Sequence, residues 1–340
     1  MDTLSRLIDL ARPQGSLDLR CLLSGGFDID HAPMADGIAP FHLVLDGTCS
    51  VETPDGAPIA LQAGDFLLFP RGAAHRIRDA QRSSSGAPLT LGHDGMLPLR
   101  RNAPAGHDGG GNGGIGVSAT QGEFAVQSAQ SAQPAPDLDL LCGRFVYAPG
   151  SSSLLLAALP DPLHVSLGKT QAAGALQTLI ALMRTESERR QAGALAIVTA
   201  LSHALFAMAL RAHAEAGGST SGVLALLADA RLGVSVQAML SAPEHPWTIV
   251  ELGDLAAMSR ATYARRFNER AGMTVMDFLT RIRMTIACDL LRRTQRSAAE
   301  IGETVGYQSE AAFGKAFQQN VGVTPGRYRR QPLQTTQEDA

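Results

Sequence analysis

VELGDLAAMSRATYARRFNERAGMTV, residues 250–275, is answered later in the chain by AEIGETVGYQSEAAFGKAFQQNVGVTP, residues 299–325. Six pairs match at an offset of fifty: Ser259 with Ser309, Tyr263 with Phe313, Arg265 with Lys315, Phe267 with Phe317, Gly272 with Gly322 and Thr274 with Thr324. Upstream, Glu251 pairs with Glu300 and Gly253 with Gly302 at an offset of forty-nine, so the second copy has one extra residue in its turn. So many matches in register mark a duplicated structural unit.

Each copy has the mechanics of a helix-turn-helix. Thr248 with Glu251, and Ser297 with Glu300, are capping boxes that satisfy the free N–H groups at the start of a first helix. Ser259 and Ser309 are placed to cap the second helices. Within those helices Tyr263 and Phe267, like Phe313 and Phe317, stand four apart and face a core. That turns Arg260, Ala261, Arg265 and Asn268 outward in one copy, and Ser309, Glu310, Ala311, Lys315 and Gln318 in the other. Small residues let a helix approach base edges, and an Arg or Lys reaches guanine or phosphate. Taken singly, Arg265 or Lys315 reads as a solvated charge; matched positions in a duplicated motif favour a DNA contact.

Spacing supports the same reading. VMDFLTRIRMTIACDLLRR, residues 275–293, forms one amphipathic helix, roughly 28 Å long at about 1.5 Å per residue. Such a rod lets two recognition helices enter successive major grooves, which lie roughly 34 Å apart on one face of a duplex. Cys288 falls on the rod's packing side. Residues 243–330 resemble the DNA-binding domain of the AraC/XylS family of bacterial transcription regulators, most of all in GYQSEAAFGKAFQQNVGVTPGRYRR. The resemblance implies sequence-specific binding to promoter DNA, usually as an activator beside RNA polymerase. Ala261 and Ala264 depart from the usual outward face and leave more of the reading to Arg260 and Arg265.

Charge follows the same division. The 340 residues carry a net charge of −3, but residues 243–330 hold 13 basic and 9 acidic side chains, against 16 and 21 in residues 1–242. A basic module suits an anionic partner. Four scattered cysteines, none in a CxxC pair, exclude a disulfide scaffold or a zinc finger. The N-terminal MDTLSRLIDLARPQG has no signal-type apolar run, so a cytoplasmic protein is expected. Gly193 to Leu210 is uncharged, but its alanines, Ser202 and His203 fit a buried or homodimer-forming helix better than a membrane span.

Ahead of this module, residues 17–79 break into short strands: LDLRCLL, FHLVLDG, CSVET, APIALQA and DFLLFP, separated by GG, DG, PDG and AG. Together these imply an α+β chain. Its expected parts are a cupin-like antiparallel β-barrel over 1–160, a helical connector over 161–242, an all-α double helix-turn-helix over 243–330, and a disordered tail at 331–340. Residues 82–137, with GHDGGGNGGIG and QSAQSAQPAP, read as a flexible low-complexity insert.

Gly64-DFLLF-Pro70-Arg-Gly72-AA-His75 fits the second cupin motif, with Asp79 where Asn is usual. The ligand slots of the first motif fall on Met34, Asp36 and Pro40, so the usual cupin metal site is absent and a metalloenzyme is not expected. Strand alternation instead turns His42 and His75 inward. With Cys21, His31, His42, His75 and Cys142, the front of the chain resembles the reactive-chlorine-responsive activators of the AraC/XylS family. In those, cysteines at the positions of Cys21 and Cys142 are associated with oxidant sensing. Three readings stay open: a thiol switch at Cys21 and Cys142; a zinc site of Cys21, His42, His75 and Cys142 that oxidation would open; or a small organic effector in the barrel.

Overall fold

The structure is a computed structural model that describes residues 2–54, 56–80, 88–94, 97–102, 136–147, 153–156, 158–169, 173–189, 191–217 and 221–331. Most of the expected insert at 82–137 and tail at 331–340 lies outside the described residues. The chain opens with a helix absent from the sequence reading, α1 (Thr3–Ala11), capped by the Asp2 carboxylate on the Ser5 N–H.

Ten strands then curl into a cupin-like half-barrel: β1 (Gln14–Leu23), β2 (Asp28–His31), β3 (Ile38–Glu52), β4 (Ile59–Gln62), β5 (Asp65–Leu68), β6 (His75–Asp79), β7 (Leu89–Asp94), β8 (Leu97–Asn102), β9 (Leu138–Val146) and β10 (Leu163–Ser166). The main path runs β10-β5-β3-β9-β1-β8-β7, with β4 and β6 on β3, and β2 on β6. FHLVLDG and CSVET are one continuous strand, β3. Three features differ from those expected. Residues 89–102, assigned to the flexible insert, form the β7–β8 hairpin. Strand β8 pairs parallel to β1, so the sheet is mixed. The last strand, β10, falls past residue 160, within the stretch expected to be connector.

The sheet's two faces feed two cores. The inner face packs Phe27, Ile29, Val44, Val51, Leu67, Phe69 and Ile77 around Cys21 and Cys142. The outer face carries Phe41, Phe66 and Phe145 into a larger core shared with the helices. These include α2 (Ser153–Leu156), α3 (Ala173–Arg189), α4 (Ala194–Glu215), α5 (Val223–Ala228) and α6 (Ala230–Ser241). Helix α4 is long and apolar enough to cross a membrane. In this fold it lies on β1, with Leu205, Phe206, Ala209 and Leu210 buried. The approach is close: a Cβ on Gly15 would stand 2.8 Å from the Cβ of Ser202. Asp229 divides α5 from α6 by capping the latter.

The C-terminal module is α7 (Ile249–Leu255), α8 (Arg260–Ala271), α9 (Val275–Arg293), α10 (Ala298–Thr304), α11 (Glu310–Val321) and α12 (Pro325–Arg330). Both capping boxes form, and Ser259 and Ser309 cap α8 and α11. Gly272 and Gly322 end those helices at φ 69° and 84°, a left-handed geometry that glycine adopts without a Cβ penalty. The rod is α9, nineteen residues long, and Cys288 is buried along it. The two copies do not share a core. Tyr263 and Phe267 join the large core of half-barrel and connector, whereas Phe313, Phe317 and Tyr328 close a separate one on the far end of α9. Burying each such ring stabilises its unit by about 2–3 kcal/mol.

Candidate sensor site and nucleic-acid interface

Strand register builds the candidate sensor site. His42 on β3 stands opposite Cys142 on β9. On the other side of β9, Cys21 of β1 stands opposite Leu140, which places it diagonally from Cys142 on the same face. The two thiols are near enough for each to shift the other's pKa. His75 enters from β6, where it faces His31 of β2. His42 joins the groups: its Nδ1 lies 3.2 Å from Cys142 Sγ and its Nε2 lies 2.7 Å from His75 Nε2.

Ring chemistry orders this chain of contacts. His75 Nδ1 sits 2.9 Å from the Ala73 carbonyl, which only accepts, so Nδ1 carries the proton and Nε2 its lone pair. Burial lowers the pKa of all three imidazoles, and for His31 it does so to about 4 with help from the charges of His75 and Arg100. The rings are therefore neutral lone-pair donors at neutral pH. His31 stacks on His75 with ring centroids 4.6 Å apart, and ligating atoms of His31, His42 and His75 all lie within 4.8 Å of one another.

The expected tetrad is thereby rearranged. His42, His75 and Cys142 do meet, and Cys21 lies diagonally from Cys142, but the converging ligand atoms are three imidazoles, with His31 as the added member. Cys142 meets His42 through Nδ1, on the opposite ring nitrogen from the one facing His75. The alternating DIDH of β2 was the available signal for His31, since it places Ile29 and His31 on one face. The thiols themselves differ. Contact with Cys142 lowers the pKa of Cys21 against the effect of burial, with Arg100 assisting. Contact with Cys21 and complete burial push Cys142 up. Cys49, elsewhere on the inner face, is pushed up to about 12 by burial and by Asp65.

On the C-terminal module, Arg260, Ala261, Arg265 and Asn268 of α8 are exposed, as are Glu310, Ala311, Lys315 and Gln318 of α11 and the cap residue Ser309. Arg265 makes an i,i+4 pair with Glu269 at 2.9 Å, with both side chains mostly in solvent. Sequence reasoning missed the contacts on the opposite side of α8. Arg266 binds the Asp229 carboxylate at 3.0 and 2.7 Å, and the Tyr263 hydroxyl donates to Ser235 Oγ at 2.9 Å. The Gly222 N–H donates to the Arg270 carbonyl at 2.7 Å. Helix α1 packs on α6 and α9, where Arg12 Nε lies 2.9 Å from Asp289.

A cupin family model matches residues 2–215 and a helix-turn-helix domain model matches residues 252–331. Over 330 residues, the chain is 31% identical to an uncharacterized HTH-type transcriptional regulator of Haemophilus influenzae, covering 97% of this chain and 99% of that one. It is also 31% identical over 342 residues to the HTH-type transcriptional regulator MtrA of Neisseria gonorrhoeae, again with 97% and 99% coverage. Identity is 27% over 335 residues to the RCS-specific HTH-type transcriptional activator RclR of Escherichia coli, with 98% and 99% coverage. A cupin half-barrel joined to paired helix-turn-helix units defines a sequence-specific DNA-binding transcription regulator rather than an enzyme. The chain belongs to the AraC family of these regulators.

Proposed function

We propose that this regulator senses an oxidant of the hypohalite class at Cys21 and Cys142 and passes the change to its DNA reader. The carrying observation is the diagonal placement of the two thiols on neighbouring strands of the inner barrel face. The name of the E. coli relative, an RCS-specific activator, supports the choice of oxidant. The Cys21 sulfur attacks the halogen, the halogen–oxygen bond breaks, and the oxygen departs as hydroxide. Cys142 sulfur then displaces halide from the Cys21 adduct and releases its proton. Two thiols and one hypohalite thus yield a disulfide, one halide and one water.

The residues present also fit a zinc-type ion at His31, His42 and His75. Three neutral imidazoles converge, and His75 donates its other ring N–H to a carbonyl, as metal-binding histidines do. Bound there, the ion would clamp β2, β3 and β6 together beside the thiols.

Strand β1 links sensing to reading. It carries Cys21, and its upstream helix α1 packs on α6 and α9 of the connector and reader. A disulfide that pulls β1 toward β9 shifts α1 and loosens the α6–α8 contact that holds the first reader. The regulator acts as a cytoplasmic homodimer that activates transcription beside RNA polymerase. Exposed Leu182 of α3 and Leu195 of α4 offer apolar side chains to the dimer contact.

Treating the full chain with one equivalent of hypochlorite should yield a Cys21–Cys142 disulfide by peptide mapping. Cys21→Ser and Cys142→Ser should each abolish the transcriptional response while DNA binding by the reduced protein persists. An unchanged response in both variants would sink the reading. Elemental analysis of the reduced protein is expected to find about one zinc per chain, lost in His75→Ala.

A further inference from the structure

Arginines along the neighbouring strands have acidic partners. Arg20 of β1 binds Asp139 through two hydrogen bonds at 3.0 Å, and Arg144 of β9 binds Asp18 at 2.7 Å. Arg100 of β8 has no carboxylate partner among the described residues. Its position is set by the parallel pairing of β1 and β8, which places it directly opposite Cys21. Cα-paired residues in a sheet project to the same face. Leu97 and Leu99 alternate with Arg100 and are buried, which confirms that Arg100 takes the other face.

Arg100 is half-buried, so its guanidinium keeps contact with solvent while its charge reaches Cys21, Cys142 and His31. An uncompensated charge at the edge of an apolar core costs free energy unless an anion completes it.

We propose that Arg100 is an anion-docking residue that seats a hypohalite anion against the Cys21 sulfur and so selects the oxidant. This rests on the reading that Cys21 is the oxidised thiol. The docked oxygen accepts hydrogen bonds from the guanidinium, which leaves the halogen toward sulfur. When the thiol takes the halogen, the halogen–oxygen bond breaks and oxygen leaves as hydroxide with the thiol's proton, beside the same guanidinium. Hydrogen peroxide, neutral at physiological pH, gains nothing from this seat. Selectivity between the two oxidants is thus assigned to one side chain rather than to the thiol.

The test compares full-length wild type, Arg100→Gln, Arg100→Lys and Cys21→Ser. It follows the rate of Cys21 thiol loss with sodium hypochlorite and, separately, with hydrogen peroxide. Arg100→Gln is expected to slow the hypochlorite reaction about tenfold, the order of one charge-assisted hydrogen bond. The peroxide reaction should stay within about twofold, and Arg100→Lys should retain most of the hypochlorite rate, which also controls for folding. Equal slowing with both oxidants would overturn the docking role, because it would place the effect of Arg100 on the thiol itself. No slowing with either would overturn it as well. If wild type and Cys21→Ser lose thiols to hypochlorite identically, the sensing reading fails first and takes the docking role with it.

Discussion

Where the first helix-turn-helix copy carries Tyr263 and Arg266, the second carries Phe313 and Ala316 at the matching positions. The apolar parts are equivalent: both ring pairs are fully buried against the first helix of their unit and α9. The polar additions are not. Tyr263 reaches Ser235 and Arg266 reaches Asp229, both on the connector, while the second copy offers neither a hydroxyl nor a guanidinium there. One reader is therefore fastened into the regulatory body and its duplicate is carried on the far end of a rod. The repeat supplies two readers, and two polar side chains tie one of them to the connector.

Removing the fastening is the most direct way to break that contrast. Asp229→Ala deletes both the cap on α6 and the partner of Arg266. A loss of about 2 kcal/mol in chemical unfolding is expected from the cap and the partly buried pair together. Burial works against the Asp229 carboxylate, but the N–H groups of Leu232 and Arg231 and the Arg266 guanidinium outweigh it and lower its pKa. Its contribution is therefore present above the ordinary carboxylate value of 3.8 and is lost as pH falls through the lower folded value. The penalty of Asp229→Ala should shrink accordingly in acid. A penalty that persists unchanged below the folded pKa would show that charge plays no part in the fastening.

A smaller effect separates the two turns. Gly306 sits at φ 86° in the second copy, whereas its counterpart Ala257 is held at φ 52° in the first. Glycine takes this left-handed geometry freely, while alanine meets a steric cost. Gly306→Ala should cost about 1–2 kcal/mol from backbone strain alone, and the new Cβ would stand 2.7 Å from the Glu244 carbonyl. Ala257→Gly should stabilise the protein by roughly 0.5–1 kcal/mol. Thermal melts of the two variants should move in opposite directions; movement in the same direction would mean that the turns are not equivalent.

The reader was legible in the sequence because its determinants are local. Capping boxes, cap serines, paired aromatics and the length of the rod all lie within a few turns of one another, and each took its expected place. The sensor was legible only in part, because its contacts join strands far apart in the chain. Alternation along β3 correctly turned His42 inward. The tetrad read from residue types nevertheless missed His31, whose place depends on the pairing of β2 with β6. The β7–β8 hairpin was lost beside a low-complexity run, although LTLGHD and LPLRRN have strand length and alternate leucine with polar residues. The fastening of the first reader left no local signal, since Asp229 and Ser235 lie 37 and 28 residues upstream of their partners.

Hydrogen exchange of the full-length protein, reduced and after one equivalent of hypochlorite, tests most directly whether the sensor controls one reader and not the other. The expected result is faster exchange of backbone amides in α6 and α8 after oxidation, with α10 and α11 unchanged, and no such difference in Cys21→Ser. Equal change in both helix-turn-helix copies, or none in either despite a mapped Cys21–Cys142 disulfide, would contradict it.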